Sequence, residues 1–242
     1  MNKTALITGA AKRVGKAMAL HLAEKGWNIA IHYHSSANEA LLFCNDLKNR
    51  FPGQQFELID ANLTIPDEVE GLIQQTLFRF SSIDLLINNA SVFEPASLAD
   101  TSTDFLDKQF NVNFKAPFIL SRNYANAQQS GLIVNLVDTR IVNNKSNFAA
   151  YSLSKKMLWE LTKMAALEFG PAFRVNAIAP GLTLPPEEKD DDYLQKLAVN
   201  IAMKRPGGIG PILKSLDYIL ENDYLTGQLL FCDGGENLGK KL

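Results

Sequence analysis

The sequence predicts an α/β protein: one doubly wound, Rossmann-type domain spanning 1–242, with helices on both faces of a parallel sheet. Three observations predict it. Short runs that are apolar throughout (TALIT, NIAIHY, IDLLIN, LIVNLV) alternate with longer stretches of helical periodicity, and a strand without polar alternation is one covered on both faces. A glycine-containing turn, Thr8-Gly9-Ala10-Ala11-Lys12-Arg13-Val14-Gly15, follows the first run directly. The length of 242 residues allows one well-buried core and leaves little for a second.

In order, Thr4–Thr8 reads as a strand, Arg13–Lys25 as a helix and Asn28–Tyr33 as the second strand. Asn38–Asn49 is the next helix, Gln55–Ile59 a strand, Pro66–Phe78 a helix and Ile83–Asn88 a strand. A single long helix is expected over Thr103–Gln128, then the strand Leu132–Val137 and a helix over Ala149–Phe169. Arg174–Ile178 is a strand, Ile209–Glu221 a helix and Gln228–Cys232 the last strand. Each assignment rests on periodicity, length and flanking turn residues. Such a sheet uses right-handed crossovers and carries its site at the carboxyl ends of the strands. The segment 182–210 contains Pro185-Pro186, an acidic run from Glu187 to Asp192, and Pro206-Gly207-Gly208. A connection this long reads as a functional lid or a mobile insertion, and its acidic run as solvated.

Charge excludes some partners. With 24 Lys and Arg against 26 Asp and Glu, the net charge is -2, so no broad basic field awaits nucleic acid or anionic lipid. No stretch approaches the roughly 18 apolar residues of a membrane helix, and the chain enters its first strand without a cleavable signal. The expected setting is the cytoplasm. Cys44 and Cys232 read as buried free thiols, and no histidine has the spacing of a metal site, so no metal is expected.

Tyr151 and Lys155 are four residues apart on a predicted helix, so they project from one face into one pocket. An ammonium there favours the phenolate; the expectation is a Tyr151 pKa lowered toward neutrality and a usable proton donor. Taken alone the spacing is common, and a surface lysine beside a half-buried tyrosine is the plainer alternative. At the other end of the chain, Gly9 and Gly15 stand where strand passes to helix, which lets backbone amides approach a pyrophosphate. Sites for NAD place an acid at the end of the second strand. Here that place reads His32-Tyr33-His34-Ser35-Ser36. Lys12 and Arg13 supply cationic donors suited to a 2′-phosphate, which favours NADPH; the alternative is two solvated loop charges.

With Thr8-Gly9, Asn88-Asn89-Ala90, Tyr151-x-x-x-Lys155 and Pro180-Gly181 in order at successive strand ends, the sequence resembles the short-chain dehydrogenases/reductases up to Asp233-Gly234-Gly235. The resemblance implies Tyr151 as acid/base, Lys155 on the nicotinamide ribose, and Asn113 as organiser of a proton-relay water. It implies Pro180, Gly181 and Thr183 along the carboxamide, and Asn89 and Ala90 beside the cofactor. Most members keep a glycine where this chain has Arg13 and a serine where it has Asp138. Both substitutions, with HYHSSANEA and NNASVFEP, look like the pteridine reductases and related bacterial dihydropteridine reductases. On that likeness Phe93 stacks on a pterin, Arg13 serves cofactor phosphates and pterin together, and Ser91 lines the same pocket. Val14 and Gly15 hold the phosphates, and His34, Ser35 and Ser36 surround the 2′-phosphate. An arginine often occupies the place of Ser35, and Asn62 replaces an aspartate near the adenine, so loose discrimination against NADH is expected. Relatives commonly pair the helices near 103–128 and 149–169 across subunits, which implies a homotetramer.

Asp138 selects the chemistry by its charge. Against the oxyanion of a reduced ketone at about 4 Å, it costs roughly 4 kcal/mol at an effective dielectric near 20, or about 10³ in rate. A reduced pterin instead offers N–H donors to a carboxylate and an imine nitrogen that takes a proton as hydride arrives. The expected function is NADPH-dependent reduction of a dihydropterin, with dihydrofolate as a further candidate substrate, and with a proton relayed through Tyr151 and Asp138. Few basic residues in 182–210 beyond Lys189, Lys196, Lys204 and Arg205 favour a neutral tail over a polyglutamylated one. The alternatives are a ketone or 3-oxoacyl-thioester reductase and a non-catalytic NADPH-binding scaffold or sensor; Asp138 could also merely cap a turn.

Overall fold

The structure, a computed structural model, describes residues 2–186 and 189–239. Glu187 and Glu188 of the acidic run lie outside the described residues. Among those described, seven strands form one sheet: β1 (Thr4–Ile7), β2 (Asn28–Tyr33), β3 (Phe56–Asp60), β4 (Leu85–Asn88), β5 (Gly131–Leu136), β6 (Phe173–Pro180) and β7 (Leu229–Cys232). Their order is β3-β2-β1-β4-β5-β6-β7, and every pairing is parallel. The helices are α1 (Arg13–Glu24), α2 (Ala37–Arg50), α3 (Pro66–Arg79), α4 (Thr103–Phe110), α5 (Ala116–Ala127), α6 (Ala149–Phe169), α7 (Asp191–Ala198) and α8 (Gly210–Glu221).

The uniformly apolar strands fill two layers. Along β1, Ala5 and Ile7 belong to one core and Leu6 to the other, and all three are fully buried. The first core packs Met18 and Leu22 of α1, Phe43 and Leu47 of α2, and Ile212 and Leu216 of α8. The second packs Leu72 and Ile73 of α3, Leu120 and Tyr124 of α5, and Ala165 of α6. Each such aliphatic side chain contributes about 1.5–3 kcal/mol by leaving water. The strand order reverses between β1 and β4, which opens a crevice at their carboxyl ends.

One stretch differs from the sequence expectation, and another gains detail. The long helix over 103–128 is interrupted: α4 and α5 are joined by a π-helical turn, Asn111–Lys115. Proline at 117 supplies one cause, because it has no N–H for the Asn113 carbonyl four residues earlier. The Asn113 side chain supplies the other; fully buried, it donates to Gln109 Oε1 (3.1 Å) and Ser154 Oγ (3.1 Å) and accepts from Val92 N (2.9 Å). Local widening of this kind holds an asparagine out of the ordinary helical path. The segment 182–210, read from sequence as a lid or insertion, contains α7. Asp190 caps it by accepting from Tyr193 N at 3.2 Å, and Leu194, Ala198 and Ile201 are buried, so helical spacing puts an apolar stripe against the domain.

Candidate functional site

At the switch between β1 and β4, Thr8 joins the two strand ends. Its Oγ1 accepts from Asn89 N (2.9 Å) and Ala90 N (3.0 Å), while Asn89 Nδ2 donates to Thr8 O at 2.8 Å. The turn below is as tight as backbone permits. A Cβ on Gly15 would stand 2.2 Å from Gly9 O and 2.5 Å from Asn89 Nδ2. Arg13 has a left-handed φ of 52°, a conformation that costs a side-chain-bearing residue on the order of 1 kcal/mol. Its guanidinium donates to Pro185 O at 2.9 Å, tying the turn to segment 182–210.

His32, at the end of β2, braces the same turn. Gly9 N donates to His32 Nδ1 at 3.0 Å, so Nε2 carries the proton and donates to Ala61 O at 3.0 Å. Burial, with His34 adding a little, lowers this imidazole from 6.5 to about 4. The folded chain therefore keeps the neutral ring: its contribution to stability is complete above pH 6.5 and is lost as pH falls through about 4. We expect His32 alone to cost about 2 kcal/mol of unfolding free energy between pH 7 and pH 5. Urea titrations check this, and His32→Gln should flatten that part of the pH dependence.

A cavity of about 730 Å³ runs along this edge, lined by Gly9, Lys12, Arg13, Val14, Gly15, His34, Ser35, Ser36, Asn62, Asn89, Ala90, Ser91, Phe93 and Tyr151. Lys12 forms an ion pair with Glu39 of α2 at 2.5 Å. Asn62 spends its carbonyl on the turn before α3, accepting from Thr64 N (3.0 Å) and Thr64 Oγ1 (2.7 Å), which leaves its amide N–H groups toward the cavity's needs as donors.

A second cavity of about 240 Å³ shares Arg13, Val14, Asn89, Ser91, Phe93 and Tyr151 with the first and adds Asp138, Lys155, Pro180, Gly181 and Thr183. Two adjoining cavities thus gather every site residue expected from sequence except Asn113. That residue lies behind the wall, where Ser91 Oγ donates to its Oδ1 at 3.1 Å. Tyr151 Oη donates to Asp138 Oδ2 at 2.8 Å, and Arg140 N donates to Asp138 Oδ1 at 2.7 Å. Asp138 therefore both caps the turn after β5 and accepts from the tyrosine.

One expectation is reversed. The Tyr151 pKa lies well above the usual tyrosine value, raised by burial first and then by Asp138. Lys155 does not offset this, because its ammonium donates to Leu136 O at 2.8 Å and sits 5.8 Å from the Tyr151 ring centroid. Burial also lowers Lys155 from 10.5 to about 8, partly countered by Asp138. A phenolate beside a carboxylate in a dry pocket is unfavourable, so Tyr151 holds its proton. Phe93 is 51% exposed; it stacks on Phe148 at 4.4 Å and meets the Tyr151 ring edge-on at 4.7 Å. Arg140 lies 4.4 Å over Phe148.

Sequence reading missed His32, Arg140, Phe148 and Glu236 near these cavities. Only His32, at the end of a strand otherwise apolar, carried a signal.

The short chain dehydrogenase family profile matches residues 3–192. The chain belongs to the short-chain dehydrogenases. Over 245 residues it is 32% identical to the 3-oxoacyl-[acyl-carrier-protein] reductase FabG of Staphylococcus epidermidis, covering 97% of this chain and 99% of that one. Among solved structures it is similar to FolM alternative dihydrofolate reductase 1 from Brucella canis, complexed with NADP (TM-score 0.91, 34% identity, 100% of this chain and 96% of that chain). The corresponding Brucella suis protein in complex with NADP gives a TM-score of 0.93 at 34% identity, covering 100% and 97%. Among the described residues, no helix is long and apolar enough to cross a membrane.

Proposed function

We propose that this chain is an NADPH-dependent reductase of dihydropterins, dihydrofolate among them. The observation that carries this reading is the Tyr151–Asp138 hydrogen bond. Where ketone reduction needs a neutral donor beside the reacting oxygen, this chain presents a carboxylate. Likeness to two dihydrofolate reductases solved with NADP supports both substrate class and cofactor.

The cavities fit the cofactor. With no Cβ at Gly15 the turn closes tightly onto Gly9 O, and the start of α1 that it positions lines the larger cavity, where its amides suit a pyrophosphate and His34, Ser35 and Ser36 offer donors for a 2′-phosphate. Bound there, NADPH supplies a hydride from its nicotinamide. Lys155 spends one ammonium proton on Leu136 O and keeps two for ribose hydroxyls. Gly181 and Thr183 would border its carboxamide, and Phe93 would offer its exposed ring to the pterin, with Arg13 and Ser91 beside it.

The proton follows from the Tyr151–Asp138 pair. If Tyr151 surrendered its proton while Asp138 stayed ionised, two anionic oxygens would remain 2.8 Å apart. The pair avoids this when Asp138 takes a proton from solvent and hands it to the phenolic oxygen as Tyr151 passes its own to the imine nitrogen. Asn113 steadies the wall through Ser91.

The second reading, 3-oxoacyl-thioester reduction, is favoured by the likeness to FabG and opposed by Asp138. NADPH oxidation with dihydropterins, dihydrofolate and an acetoacetyl thioester separates them. Turnover of the thioester alone would sink the pterin reading, and tight NADPH binding with no turnover would leave a scaffold. The proposed assembly is a homotetramer, supported by exposed Phe118, Leu153, Met164 and Leu167 on α5 and α6; light scattering tests it. The proposed setting is the cytoplasm, in keeping with two free cysteines.

A further inference from the structure

A third cavity of about 480 Å³ borders Asp138 and Phe93, with Tyr193 and Leu194 among its apolar walls and Arg140 and Glu236 among its polar ones. Glu236 is aimed by the chain itself. Buried Asp233 accepts from Gly235 N (3.0 Å) and Asn237 N (2.7 Å), which fixes the turn, and a methyl group on Gly181 would come within 3.0 Å of Glu236 Oε2. The carboxylate is partly buried, yet makes no hydrogen bond or ion pair among the described residues; burial, then Asp138 and Asp233, raise its pKa. An acceptor that faces a cavity without a protein donor is open to one from a ligand.

The pterin reading says which ligand atoms arrive there. The imine carbon of a dihydropterin that takes the hydride also bears the ring's side chain. With that imine at Tyr151 and Asp138, the side chain begins beside Asp138, next to this cavity. We propose that Glu236 is a specificity residue that reads this side chain by accepting hydrogen bonds from its hydroxyl groups. Two carboxylate oxygens match a vicinal diol, as an acid at the end of a second strand holds a ribose hydroxyl.

The inference rests on the pterin reading, and its test keeps the two apart. Steady-state kinetics compare a dihydropterin carrying a polyhydroxypropyl chain with one carrying only a methyl group, for wild type, Glu236→Ala and Glu236→Gln. For Glu236→Ala, KM for the hydroxylated substrate should rise about tenfold or more, the loss expected of a hydrogen bond to a charged group, with kcat held. Kinetics with the methyl substrate and NADPH affinity should stay level, and Glu236→Gln should fall between. Equal changes for both substrates, or none for either, overturn the assignment. Wild-type protein that reduces neither substrate overturns the pterin reading and the assignment with it.

Discussion

Replacing Asp138 by serine should lower kcat for a dihydropterin about 10²–10³-fold, the scale of a lost acid–base partner, while the Kd for NADPH moves little. Two contacts disappear together: the acceptor for Tyr151 Oη and the cap on Arg140 N. Tyr151 also loses the neighbour that, after burial, raises its pKa most, so its phenol becomes more acidic and closer to an ordinary ketone reductase's. Turnover of an acetoacetyl thioester should correspondingly rise, because the roughly 4 kcal/mol repulsion of an oxyanion at 4 Å is removed. Stopped-flow hydride transfer and fluorescence-detected NADPH binding separate the chemical step from the cofactor. Unchanged pterin kinetics would remove Asp138 from the mechanism.

Gly15→Ala should weaken NADPH binding at least tenfold, roughly 1.4 kcal/mol or more, and also destabilise the fold. Its Cβ would meet Gly9 O, a backbone atom, at 2.2 Å. A flexible side chain could move aside; a carbonyl braced by Asn89 Nδ2 at 3.2 Å moves only with the turn. Overpacking of this sort costs about 1–3 kcal/mol, which in a chain of this length lowers Tm by roughly 2–12 °C. Gly26→Ala is the control. Gly26 has a φ of 88° and nothing within 4 Å of an added Cβ, so it should lose stability through backbone strain alone and bind NADPH as wild type does. If both variants bind the cofactor normally, the turn is not where the pyrophosphate lies.

The sheet and its winding were legible because their signals are local and repeated. TALIT, NIAIHY and LIVNLV are apolar on both alternations and too short for helices, the pattern of a strand buried on two faces. The cavities' membership was legible for a related reason: strand ends of a parallel sheet converge on one edge, so motifs at successive ends meet whatever the intervening helices do. The break at Asn111–Lys115 was half written in the chain, as Pro117, and half decided by what Asn113 reaches. The reversed tyrosine shows where sequence stopped. Spacing put Lys155 on the same helix face as Tyr151, but the pKa depends on burial and on where the ammonium points, and it points to Leu136 O. Glu236 and Phe148 lie far from Asp138 and Phe93 by other routes of the chain, and no local pattern marks them. Sequence by itself determined the α/β architecture and the residues at its strand ends, since periodicity is a property of neighbours. Tertiary structure alone decided which groups are dry, which oxygen receives each proton, and which carboxylate is left open, since desolvation and hydrogen bonding are properties of whatever the fold brings alongside.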